Sequence, residues 1–136
     1  MRVEGAFFAE KVTERPDGRL DVEGFGPFTI SVAELPFRLS QYVVPILLFF
    51  TPQDKDRRIA LDFTLLGPAN TSLMKEQIMI DSPYPRHRAI IAVTLNDVLL
   101  ADVGVYRIRF EVGAQKYDGP SFDVEMLTDE PSQSGA

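Results

Sequence analysis

Apolar and polar residues alternate with period two along most of this chain, the pattern of strands with one face in a core and the other in water. In Arg58–Leu65 the residues Ile59, Leu61, Phe63 and Leu65 share one side. Tyr106, Ile108, Phe110 and Val112 do the same after the turn at Asp102–Gly104, and residues 121–126 repeat the pattern near the end. Further strands are predicted at Val3–Val12, Arg19–Gly24, Phe28–Val32 (with Phe28, Ile30 and Val32 inward), Leu73–Ile80 and Ala89–Leu95. Arg15-Pro16-Asp17-Gly18 joins the first two as a hairpin, because proline presets φ, aspartate bonds nearby amides and glycine accepts a left-handed conformation. Gly24–Pro27 reads as a bend, and Asn96–Leu100 as a loop or single helical turn crossing between sheets.

Asp102-Val103-Gly104-Val105-Tyr106 has the form of a tyrosine corner, in which a turn glycine lets the chain bend while the tyrosine ring enters the core and its hydroxyl bonds backbone upstream. Asp102, Gly104 and Tyr106 are therefore assigned structural roles. Eight or nine short strands with this corner predict an all-β, Ig-like two-sheet β-sandwich, formed as one domain over residues 1–127 with a flexible tail at 128–136.

One segment breaks the alternation. Tyr42-Val43-Val44-Pro45-Ile46-Leu47-Leu48-Phe49-Phe50 is apolar on both faces. Either a loop such as residues 81–88 covers the second face, or Pro45 introduces a bulge, or the face buries against another molecule. Proline favours an edge strand, whose unpaired backbone can extend a sheet across a twofold axis. Tyr42, Val44, Ile46, Leu47, Leu48 and Phe50 are the candidate partner-binding residues on this reading.

Composition narrows the function classes. The chain has 136 residues, 45% of them hydrophobic, and twenty acidic against fourteen basic residues give a net charge of −6. That sign repels phosphate backbones, so nucleic acid is not an expected partner. With no cysteine, disulfides and thiol chemistry are absent. No stretch has the roughly twenty apolar residues of a membrane-spanning helix, and the start of the chain lacks the apolar core of a secretory signal. A cytoplasmic protein is expected, with no membrane partner.

The order Pro16-Asp17-Gly18-Arg19-Leu20, then Gly24, Phe28-Thr29-Ile30-Ser31, Leu35-Pro36 and Gly104-Val105-Tyr106-Arg107 resembles a family of small uncharacterised bacterial proteins common in actinobacteria. The resemblance spans most of residues 3–126 and implies an Ig-like fold without assigned activity or catalytic residues.

Candidate chemistry is sparse. The single histidine, His87, lies in the proline-containing run Ser82–Arg88, and no nucleophile elbow, phosphate loop or zinc-binding helix accompanies it. Asp54-Lys55-Asp56 reads as a charged, solvated turn, since adjacent cations would repel a metal. Arg57, Arg58, Arg86, His87 and Arg88 would form an anion-binding patch if their loops fold side by side. The expected function is a non-enzymatic interaction or scaffold protein, without a cofactor or metal, that self-associates or docks another protein through the apolar strand. A small-ligand or anion-binding domain using the basic loops is the alternative.

Overall fold

The computed structural model describes residues 1–127, which form twelve strands: β1 (Arg2–Ala6), β2 (Ala9–Glu14), β3 (Leu20–Phe25), β4 (Thr29–Val32), β5 (Phe37–Arg38), β6 (Tyr42–Phe49), β7 (Arg58–Leu66), β8 (Ser72–Asp81), β9 (Arg88–Leu95), β10 (Leu99–Leu100), β11 (Gly104–Val112) and β12 (Gln115–Met126). One sheet runs β9–β6–β1/β2–β3, with β1 and β2 sharing the same edge of β6. The other runs β4–β12–β11–β7–β8, all antiparallel except the parallel β4–β12 pair. A short β5–β10 ladder stands apart. The fold is an all-β sandwich. The predicted tail at 128–136 lies outside the described residues.

The core follows from the alternation. Val44, Ile46 and Leu48 of β6 belong to one buried cluster with Leu61, Phe63 and Leu65 of β7, Tyr106, Ile108 and Phe110 of β11, and Phe122 and Val124 of β12. Each such side chain contributes about 1.5–3 kcal/mol by leaving water. The hairpin between β2 and β3 forms at the expected turn: Gly18 has φ 86°, its N–H donates to the Arg15 carbonyl (3.0 Å), and the Arg19 N–H donates to the Asp17 carboxylate (3.0 Å).

Four expectations are corrected. The strand predicted over Val3–Val12 is broken at Phe7–Phe8, for a reason that lies in its partner. Ala6 pairs with Ile46 and Ala9 with Val43, so Phe7 falls opposite Pro45, which has no N–H to give to a ladder. Pro45 does not mark an edge: β6 is paired on both sides, by β1 and β2 and by β9 along its whole length. Phe28 does not join Ile30 and Val32 inside but is 66% exposed. Asn96–Leu100 is neither plain loop nor helical turn, since Leu99 and Leu100 pair with Arg38 and Phe37. This short ladder and the split first strand raise the strand count to twelve.

Candidate functional site

The tyrosine corner is built as its residues imply. The Tyr106 hydroxyl donates to the Asp102 carbonyl (2.6 Å) and accepts from the Asp102 N–H (3.3 Å), so Asp102 serves through its backbone. The Tyr106 ring stacks on Phe122, with centroids 5.4 Å apart and planes 3° from parallel. Gly104 sits at φ 132°, where a Cβ would come 2.9 Å from Cγ of Pro68.

The apolar segment divides by face. Val44, Ile46, Leu48 and Phe50 are fully buried in the core, so none of these four side chains can meet a partner, and Tyr42 also packs against the core. Alternation leaves Val43, Pro45, Leu47 and Phe49 on the outer side. Phe49 is not bare there: guanidinium groups of Arg2 and Arg88 lie 4.5 and 5.1 Å from its ring centroid, and His87 stacks on it at 5.6 Å. The tip of the β2–β3 hairpin, through Glu14 and Gly18, shares a pocket with Leu47. A strand with one face in the core and the other under these groups has no reason to alternate.

The segments that carry the two basic groups meet where the Ser82 N–H donates to the Arg57 carbonyl (2.9 Å). Two of their four arginines are paired within the fold. Arg58 pairs with Asp81 (3.7 Å) and Arg88 with Glu4 (3.0 Å), while His87 donates from Nδ1 to the Phe50 carbonyl (3.1 Å). Among the described residues, Arg57 and Arg86 form no ion pair.

Asp54 departs from the solvated turn expected of it. It is 6% exposed, and its carboxylate accepts from the Met1 ammonium (2.7 Å), the Thr51 N–H (2.8 Å) and the Thr51 hydroxyl (3.3 Å). Burial alone would raise the pKa of this carboxyl. The hydrogen bonds from the ammonium and from Thr51, with the ammonium's charge, outweigh burial and hold it below the ordinary aspartate value. A group depressed on folding stabilises the native state above its unfolded pKa, about 3.9, and that stability is lost as pH falls through the folded pKa. Asp54→Asn is therefore expected to cost about 1.5–3 kcal/mol at neutral pH. The difference from wild type should shrink below about pH 4, as read by urea denaturation at several pH values. An equal cost at pH 7 and pH 2 would refute the ionic role.

The largest exposed aromatic feature was not picked out from the sequence. Phe25 and Phe28 are 62% and 66% exposed. Phe25 lies 5.4 Å from the ring of Phe7 and 5.5 Å from that of Phe28, so the three form one cluster across the Gly26–Pro27 bend. The break opposite Pro45 lets Phe8 enter the core while its carbonyl accepts from the Gly26 N–H (2.8 Å), which holds the bend against the broken strand. A depression of about 350 Å³ adjoins the rings, bounded by Ala6, Pro27, Gly119 and Pro120, and no charged side chain lines it. The available signal is Phe25-Gly26-Pro27-Phe28 itself, two aromatics on a tight bend, which the strand pattern starting at Phe28 hides.

The described residues contain no group of three or more metal-ligating side chains and no helix long and apolar enough to cross a membrane. No curated protein matches the chain. The model of DUF6941, a family of unknown function, matches residues 4–125, and the chain belongs to that family.

Proposed function

We propose that this protein is a non-enzymatic, cytoplasmic interaction domain of the Ig-like kind, in a largely actinobacterial family, that self-associates through Phe7, Phe25 and Phe28. The observation that carries this reading is the exposure of two phenylalanines held in one cluster. Aromatic side chains anchor protein interfaces, where each buries on the order of 150–250 Å². The expected binding function is thus kept, and its surface moves from β6 to the bend between β3 and β4. A second copy is the fitting occupant because the patch is uncharged and apolar and needs an apolar counterpart, which a twofold axis supplies from the same residues. Its small size implies a concentration-dependent dimer rather than a permanent one.

Light scattering across a hundredfold dilution should show the mass rising from 15.3 kDa towards that of a dimer at high concentration. The Phe25→Ser/Phe28→Ser variant should stay monomeric with an unchanged melting temperature. A wild-type monomer at every concentration would overturn self-association.

A further inference from the structure

Leu47 of β6 and Ile90 of β9 are cross-strand partners on the face turned away from the core. Above them the β2–β3 hairpin tip leaves a pocket of about 470 Å³, whose lining includes Glu14, Gly18, Leu47, Arg86, Ala89 and Ile90. Arg88 also contributes, but its guanidinium is held by Glu4. Arg86 and Glu14 are exposed and carry opposite charges at one pocket, yet neither pairs with the other or forms any ion pair among the described residues. The site therefore offers a cation, a carboxylate and an aliphatic floor.

We infer that this pocket binds a small aliphatic zwitterion, an α-amino acid with a branched side chain. Its carboxylate accepts charge-assisted hydrogen bonds from Arg86, its ammonium donates to Glu14, and its side chain covers Leu47 and Ile90. A simple anion would engage Arg86 and be repelled by Glu14. An amine alone would meet the opposite conflict. The inference is independent of self-association, since the aromatic cluster shares no residue with this pocket.

The test is an amide NMR titration of the full chain with L-leucine, 4-methylpentanoate, which lacks the ammonium, and 3-methylbutylamine, which lacks the carboxylate. L-leucine should shift the Gly18, Leu47 and Ile90 amides saturably. Each single-charge analogue should bind at least about tenfold more weakly. Arg86→Gln and Glu14→Gln should each weaken leucine binding by about tenfold or more while leaving distant amides in place. No saturable shift with leucine, or 4-methylpentanoate binding as tightly as leucine, would overturn the inference.

Discussion

A Leu48→Asp chain is expected to lose its fold, because the residue serves the core and not an interface. The Leu48 side chain is fully buried in the cluster shared by both sheets. A carboxylate placed there without a partner costs several kcal/mol, a large part of the 5–15 kcal/mol that usually holds a domain together. Leu47→Asp, one residue away, turns to the half-buried outer face and should remain folded, with a loss of about 1–2 kcal/mol from reduced apolar burial. Circular dichroism and thermal melting of the two variants make the comparison. A folded Leu48→Asp protein with altered mass would return β6 to the interface.

The second large effect is expected at Tyr106. Replacement by alanine removes a ring that is 1% exposed and stacked on Phe122, and should cost about 3–5 kcal/mol. Tyr106→Phe keeps the ring and deletes only the hydroxyl that bridges the Asp102 carbonyl and N–H. Its cost should be about 0.5–1.5 kcal/mol, because Asp102 is exposed and water can replace the lost partner. Urea denaturation of both variants separates packing from hydrogen bonding. Equal stability of wild type and Tyr106→Phe would mean that the corner bond contributes nothing.

The elements legible in the sequence are those fixed by local chemistry. The Pro16-Asp17-Gly18 hairpin needs only neighbouring residues, and the Gly104–Tyr106 corner needs a turn followed by an alternating strand. The inward sets of β7 and β11 were readable because each strand has one wet face. Pro45 pointed to an edge because proline usually avoids a central strand, whereas here the cost of the missing N–H is absorbed by the break at Phe7–Phe8. That accommodation joins residues nearly forty positions apart and leaves no local signature. Phe28 fits an inward pattern by parity, but parity cannot show that the inward run starts two residues later, at Ile30. Asp54 reads as solvated because its charged partner, the Met1 ammonium, is 53 positions away, although its other partner, Thr51, is close in sequence. Likewise the pocket at Leu47 and Ile90 needs the hairpin tip to pass over β6 and β9, and nothing within either segment announces that meeting.

The central claim is that self-association runs through the bend between β3 and β4 and not through the core strand β6. Hydrogen–deuterium exchange of the wild-type chain, measured at low and high protein concentration, tests it most directly. The account predicts that exchange slows with concentration in peptides covering residues 6–9 and 24–29, while residues 43–49 behave alike in both samples. Unchanged exchange at 24–29, or concentration-dependent protection centred on 43–49, would contradict it.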